Sequence, residues 1–433
     1  MNLRFALLFA AAPSALAAQD VPEMTATLAA HAMLPAQSFV AAPDDAPAMF
    51  NMSGRFTGDG RTEDLYAIHD DATGLSRPFP GQPLQGFSGI RSLGGDRFLV
   101  LTDNGFGSKS NSADALLMFH ELRIDWTAGR VIPSRTTFLS DPNRIVPFPI
   151  VNEATATRYL TGADFDLESI QPVGEGYWIG DEFGPWLIEV DGDGVVRQVV
   201  ATEPEGEIIR SPDNAVVATP NPGGTLEPEV RAMRSGGYEG MALSEDGRTL
   251  YPLLEKPLWD PDAGEAMRIE GTPVLPMFEL NTDTSEWGDR TLYYPLEDAG
   301  HAIGDFNLIG GTRGLIIERD NGQGAPDFSE TPAEFKRIYL VDLSRSDGNG
   351  VLEKIAYIDL MRIKDPDGIA QRGTGDGTFT FPFVTIENVD RVDETTIVVA
   401  NDNNYPFSVG REAGRADDNE FILLDVAEFL TAE

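Results

Sequence analysis

Acidic residues set inside short apolar runs are the side chains of this sequence best placed to do chemistry, and they recur in pairs of runs. Phe87-Ser88-Gly89-Ile90 is followed by Leu101-Thr102-Asp103-Asn104-Gly105, and Leu167-Glu168-Ser169-Ile170 by Ile179-Gly180-Asp181-Glu182-Phe183-Gly184. Tyr238-Glu239-Gly240-Met241 is followed by Leu253-Leu254-Glu255-Lys256, and Ile386-Glu387-Asn388-Val389 by Ala400-Asn401-Asp402-Asn403. A degraded fifth copy runs from Ile303-Gly304-Asp305-Phe306 to Ile317-Glu318-Arg319-Asp320-Asn321-Gly322. If the first run of each copy lines one channel, Ser88, Glu168, Glu239, Asp305 and Glu387 share a mouth. Facing carboxylates repel there unless some are protonated or a cation lies between them. An all-oxygen donor set suits a hard cation, calcium first and magnesium second.

Glu168, Glu239 and Glu387 are the expected metal ligands, with Asp103, Asp181 and Asp402 next. The chemistry such a site offers is metal-assisted hydrolysis, in which the cation offsets transition-state charge and activates a water. Glu182, Glu255 or Glu318 is the expected base. Lys109, Lys256 and Arg319 are placed to grip phosphate oxygens as positive charges, and Asn104 and Asn403 complete the expected substrate contacts. The plainer alternative is that these groups pair with one another and with backbone amides at strand ends, as Asp and Asn do in turns. Five repeats of a purely structural turn, however, would not need Glu inside an apolar strand.

Other hydrolytic schemes lack their residues. There is no Cys, so thiolate chemistry is excluded, and four scattered His make a zinc site a poor fit. Gly86-Phe87-Ser88-Gly89-Ile90 falls short of a nucleophile elbow, because position 90 is Ile and no helical pattern follows. A Ser-His-Asp triad would have to be drawn from separate segments, and none of His31, His69, His120 and His301 sits in a motif. Asp191-Gly192-Asp193-Gly194 and Ser346-Asp347-Gly348-Asn349-Gly350 are fragments of a calcium loop without the rest of the twelve-residue pattern, and read as hairpin turns.

The elements that must carry these residues are strands. Within each copy the two halves lie about 13 to 16 residues apart, as in a hairpin, and the copies recur every 65 to 80 residues or so. Runs such as Arg97-Phe98-Leu99-Val100-Leu101 and Thr396-Ile397-Val398-Val399-Ala400, among 44 Gly and 30 Pro, favour many strands and turns. One small sheet cannot bury both its faces alone, so the expected architecture is an all-β propeller with an acidic channel mouth. Six blades is the expected count, within a range of five to seven, the sixth built from the segment Leu65-Tyr66-Ala67-Ile68 and the C-terminal strand Glu420–Asp425. The stretch 203–235, rich in Pro, Gly and charge, reads as a surface insertion or a lid over the mouth.

The 433 residues show no composition break, so residues 51–433 read as a single propeller domain after an extension at 19–50. Residues 1–18 read as an export signal: Arg4, an apolar stretch from Phe5 to Ala12, then Ala15-Leu16-Ala17, with cleavage after Ala17 or Ala18. The expected location is therefore the periplasm or the exterior, without a membrane span. A net charge of −38, from 70 acidic and 32 basic residues, argues against nucleic acid as a partner. A small, anionic molecule is the expected partner, and no organic cofactor is expected.

The strings Asp103-Asn104-Gly105-Phe106-Gly107-Ser108-Lys109, Asp181-Glu182-Phe183-Gly184-Pro185, Tyr238-Glu239-Gly240-Met241-Ala242-Leu243, Leu254-Glu255-Lys256-Pro257-Leu258 and Asn401-Asp402-Asn403-Asn404-Tyr405-Pro406-Phe407 resemble, in this order, those of the phytase-like family of exported bacterial proteins, named for "esterase-like activity of phytase". The resemblance runs from about Gly54 to Val426. It implies a propeller and a phosphoester or ester hydrolase. Three readings follow: a calcium-dependent phosphoester hydrolase, a propeller hydrolase of lactones or carboxylic esters, and a non-catalytic propeller that binds a ligand or partner.

Overall fold

Residues 21–217 and 230–433 are described by the computed structural model. The expected export signal lies outside these residues, as does the part of the expected lid at 218–229.

The apolar runs fold as strands of four-stranded antiparallel units. From the inside outward, the first sheet is Phe87–Ser92, Arg97–Thr102, Met118–Asp125 and Arg130–Phe138, and the second is Leu167–Val173, Gly176–Asp181, Trp186–Asp191 and Val196–Ala201. The third orders Tyr238–Leu243, Thr249–Leu254, Thr272–Met277 and Leu292–Pro295, and the fourth Ala302–Gly310, Arg313–Arg319, Lys336–Ser346 and Leu352–Asp359. In the fifth, Asn388–Arg391, Thr396–Ala400 and Asn419–Asp425 are completed by Thr27–Leu34 from the other end of the chain. The innermost strands pack side by side in ring order, the fifth against the first, which makes the fold propeller-like.

Each pair of neighbouring sheets has its own apolar core. Leu99, Leu101 and Phe119 of the first sheet meet Ile170, Ile179 and Ile188 of the second. Leu315, Ile317 and Ile338 of the fourth meet Val389, Ile397 and Ile422 of the fifth, and Phe87 and Val100 meet Val398 and Phe421 across the closure. Because a sheet inside the ring is covered on both faces, its strands are almost continuously apolar rather than alternating. Each fully buried Leu, Ile or Phe contributes about 1.5–3 kcal/mol.

The expected sixth blade is not found among the described residues. Glu420–Asp425 lies between Thr396–Ala400 and Thr27–Leu34, so segments from both ends of the described residues enter one sheet. Ile68–Asp70 pairs instead with Leu75–Arg77 in a separate hairpin. Thr27–Leu34, from the stretch expected to precede the repeats, is thus what closes the ring. The two calcium-loop fragments are hairpin turns as expected: Asp191 Oδ1 accepts from Asp193 N and Val195 N, and Asp347 Oδ1 from Asn349 N and Val351 N.

Candidate metal centre and channel mouth

A β-bulge at the start of the innermost strand aims the acidic side chains. In the second sheet Leu167 pairs with Asp181 and Ser169 with Gly180, which leaves Glu168 as the extra residue, and in the third Tyr238 and Gly240 flank Glu239 in the same way. The first and fourth sheets break register at the corresponding place. A bulge bends the strand and re-aims the unpaired residue, here into the mouth. By this register Glu168 and Glu239 are equivalent and Gly304 takes their place in the fourth sheet, whereas in the first the unpaired residue is Gly89, beside Ser88, which pairs with Leu101, and Glu387 directly precedes the inner strand of the fifth. A Cβ at Gly304 would lie 1.9 Å from Ile386 O, so the close passage of the fifth sheet removes the acid from this copy.

Asp305, expected in the ring, falls one residue beyond that position. Its carboxylate accepts from Phe306 N, Val389 N and Asn307 Nδ2, deeper in the channel. The Ser88 hydroxyl donates to Glu168 O at 2.8 Å, which ties the first inner strand to the second.

A second tier comes from the ends of the adjacent strands: Asp103, Glu182, Glu255, Arg319 and Asp402. Glu182 is brought against the first tier by Gly237, where a Cβ would lie 2.4 Å from Glu182 Cα. Together the tiers form three buried triads in which one oxygen of each member lies within 4.8 Å of the others: Asp166–Glu168–Glu182, Glu168–Glu239–Glu387 and Glu182–Glu239–Glu255. Asp166 was not anticipated, although its place two residues before Glu168 in Asp164-Phe165-Asp166-Leu167-Glu168 puts both on one side of an extended chain.

Burial pushes the carboxyls of Glu168, Glu182, Glu239 and Glu387 well above the ordinary range, and their mutual repulsion adds to it. Asp103 is raised in the same way, by burial and then by Asp402 and Asp166, while Asp402 itself reaches about 6, chiefly through burial. Against this stands Arg319, whose Nη2 donates to Glu255 Oε1 at 3.0 Å and to Glu387 Oε1 at 3.3 Å. Lys256 Nζ lies 3.0 Å from Glu255 Oε2 at the rim and also bonds Ser235 O.

Three carboxylate oxygens in this set, Glu182 Oε1, Glu239 Oε1 and Glu255 Oε2, are buried without a hydrogen-bond partner, in residues 5%, 2% and 6% exposed, and of these Glu255 Oε2 has the Lys256 ammonium 3.0 Å away. A buried acceptor left alone costs about 1–3 kcal/mol, more when charged. Oxygen donors converging with orphaned acceptors are what a calcium or magnesium ion requires, so the residues fit such an ion.

Several expected site residues are engaged elsewhere. Asp181, one register step from Glu182, accepts from Asp166 N at 2.8 Å and Gly184 N at 2.7 Å, and so positions Asp166 rather than facing the triads. Glu318, one step from Arg319, is wholly buried and receives Tyr294 Oη, Glu297 N, His301 Nδ1 and Lys354 Nζ. Asn104 Nδ2 donates to Asp166 Oδ2 at 2.7 Å, and its Oδ1 accepts from Phe106 N and Gly107 N. Asn403 bonds Gly86 N, Gln85 and Asp417 O. Lys109 donates to Asp213 O at 2.5 Å with its ammonium 4.7 Å from the centre of the Phe183 ring. Alternation explains the pattern: neighbours along a strand point to opposite faces, so a one-residue error in register exchanges a channel residue for a core one.

Known proteins resemble this chain at several levels. Over 119 residues it is 24% identical to an uncharacterised secreted protein of Arthroderma benhamiae, a match covering 26% of this chain and 23% of that protein, so it spans about a quarter of the relative's length. A luciferin-regenerating enzyme superposes with a TM-score of 0.34 at 11% identity, covering 82% of this chain and 79% of that one. The PQQ-bound aldose sugar dehydrogenase of Streptomyces coelicolor gives 0.34 at 12% identity, over 83% and 96% of the two chains. A member of the DUF4221 family from Bacteroides vulgatus gives 0.33 at 9%, over 93% and 99%. The model of one family, phytase-like and described as "esterase-like activity of phytase", matches residues 82–405.

Proposed function

This chain belongs to the phytase-like family, and from that membership and the acidic mouth we propose that it is a calcium-dependent hydrolase of small phosphoesters acting outside the cytoplasm. The observation that carries the reading is the pair of orphaned, buried oxygens on Glu182 and Glu239, set among the three triads. Asp166, Glu168, Glu239 and Glu387 are the residues that hold the ion, calcium or its alternative magnesium, with Glu182 beside it. When bound, it supplies positive charge against the negative charge that develops in a phosphoryl or acyl transition state.

The side chains around it divide the remaining work. Glu182 is the base: burial raises its pKa above that of an ordinary carboxylate, and Oε1 accepts no hydrogen bond. Glu255 is less suited, because Arg319 and Lys256 occupy its oxygens. Arg319 positions Glu255 and Glu387, while Lys256, 36% exposed at the rim, meets an anionic substrate from solution. For location, the signal-like N-terminus and the secreted relative support export, and no helix among the described residues is long and apolar enough to cross a membrane.

A second reading, hydrolysis of a lactone or carboxylic ester, is favoured by one specific feature. The charge of Arg319 is already matched by two carboxylates, which leaves Lys256 as the basic group best placed to attract a phosphate. The deciding experiment compares turnover of p-nitrophenyl phosphate, phytate and a simple lactone with calcium and then with chelator. Calcium-dependent phosphate release, reduced at least about 100-fold in Glu182→Gln with the fold retained, is expected. Turnover of the lactone alone selects the second reading. No turnover of any of the three, with no calcium-dependent change in melting temperature, overturns both and leaves a binding protein.

A further inference from the structure

The acidic mouth gathers the first residues of the inner strands, so their last residues lie at the opposite end of the channel. There a cavity of about 540 Å³ is lined by the ends of all five strands and the turns that follow, among them Arg91, Gln171, Glu245, Gly310 and Arg391. Its size lies within the range of about 300–1,000 Å³ common to small-molecule sites. Asn307 separates the two ends. Its buried Nδ2 donates to Ile90 O at 3.3 Å and Val389 O at 2.8 Å, and its Oδ1 accepts from Gln171 Nε2 at 2.8 Å and from Arg91 Nη1. One side chain of the fourth sheet thus bonds the first, second and fifth, and stands across the channel between the acids and this cavity.

Two polar groups in the cavity wall lack partners, and they are opposite in character. Gln171 is 2% exposed, and its amide nitrogen is turned to Met241 O and Asn307 Oδ1, which leaves Oε1 buried with no donor. An acceptor of that kind is costly until a donor reaches it. Arg391 is exposed, and among the described residues its guanidinium forms no hydrogen bond and no ion pair. The neighbouring carboxylate is engaged otherwise: Asp390 Oδ2 accepts from Ser92 N at 2.7 Å with Arg91 Nε 3.4 Å away, and Oδ1 accepts from Arg391 N at 2.8 Å. Asp390 therefore offsets Arg91, and Arg391 is the guanidinium without a carboxylate in contact. Glu245, whose Oε2 accepts from Gly311 N at 3.4 Å, adds a second acceptor to the wall.

We infer that this end of the channel is a second binding site, separate from the acidic mouth, for a small anion that also carries hydroxyl groups, with the anionic group on Arg391 and a hydroxyl donating to Gln171 Oε1. The planar fork of an arginine fits the paired oxygens of a carboxylate or a phosphate. In a chain of net charge −38, a wall where two arginines meet two acids is locally neutral, so an anion can approach it as it cannot approach the calcium-free mouth. The site binds without doing chemistry and does not depend on a cation at the other end, so it goes beyond the proposed hydrolysis and stands or falls separately from it.

The test is calorimetric titration of the full chain in chelator with gluconate, glucose 6-phosphate, glucose and acetate, with a melting curve for each variant. Gluconate or glucose 6-phosphate is expected to bind saturably, and the stronger of the two identifies the anionic group as carboxylate or phosphate. Glucose, which lacks the charge, and acetate, which lacks the hydroxyls, should bind at least about tenfold more weakly. Arg391→Ala should weaken binding by at least that factor at an unchanged melting temperature, and Gln171→Met should do so too. Should Gln171→Met fail to fold, the comparison of acetate with gluconate decides the hydroxyl contact. Lys256→Ala, at the acidic mouth, should leave binding unchanged. No binding of any of the four, unchanged binding in folded Arg391→Ala, or loss of binding in Lys256→Ala overturns the site, and acetate binding as tightly as gluconate overturns the class of ligand. Each of these failures leaves the calcium-dependent turnover of the hydrolase reading untouched.

Discussion

Arg319 Nη2 donates to Glu255 Oε1 across 3.0 Å, and this contact joins the fourth sheet to the third inside the mouth. Both side chains are about 95% buried, and Glu387 of the fifth sheet accepts from the same nitrogen. Arg319 therefore acts as the permanent cation of an acidic ring, in the copy of the repeat where Gly304 stands in place of a first-tier acid.

Removing that charge strands two buried carboxylates. Arg319→Met is expected to destabilise the calcium-free protein by about 3–5 kcal/mol, the usual cost of breaking a buried ion pair. Chemical denaturation in chelator measures it. Added calcium should recover part of the loss, and a variant as stable as the parent without calcium would show that the contact is not needed to hold the mouth.

Glu182 and Glu318 are both buried acids near strand ends, yet their substitutions should separate activity from stability. Glu318 accepts from Tyr294, His301, Lys354 and Glu297 N, so Glu318→Gln leaves the Lys354 ammonium less compensated and lowers stability by about 3 kcal/mol or more. Its kcat should stay within a few fold of the parent at a temperature where both are folded. Glu182→Gln should do the reverse. Equal losses of kcat in the two variants would contradict the assignment of Glu182 as the base.

Asn104 reaches the proposed metal position through Asp166. Its Nδ2 fixes Asp166 Oδ2 at 2.7 Å and its own Oδ1 is fixed by loop amides. Partners of this kind typically contribute 10–100-fold to metal affinity. Asn104→Ala is expected to raise the calcium Kd by that order in a calorimetric titration, and an unchanged Kd would return Asn104 to a purely structural role.

Acid should weaken the fold through His120. Burial pushes its pKa down to about 3, while the imidazole is held by Thr102 Oγ1 at 3.1 Å and Thr136 Oγ1 at 3.0 Å. Between pH 3 and the unfolded value of about 6.5 the unfolded chain binds the extra proton, so stability falls as pH is lowered through this window, by up to about 1.4 kcal/mol per pH unit. His120→Gln should flatten that slope in denaturation curves taken between those limits. A slope identical to the parent's would place the sensitivity elsewhere.

The sequence by itself determined the repeat, the strands and the acids. Paired apolar runs at hairpin spacing reported the two inner strands of each sheet, because a sheet covered on both faces needs apolar residues at consecutive positions. Glu inside such a run, at 168, 239 and 387, carried its own signal, since an unpaired acid in a core strand is too costly to be incidental. What tertiary structure decided was register and closure. A strand's two faces differ by one residue, and the bulges that shift it come from how neighbouring inner strands crowd, as at Gly304 against Ile386. That step put Glu182 and Arg319 into the mouth and left Asp181 and Glu318 to hold the frame. The number of sheets was likewise settled by a pairing across the whole chain, Thr27–Leu34 beside Asn419–Asp425, for which no local spacing exists to be read.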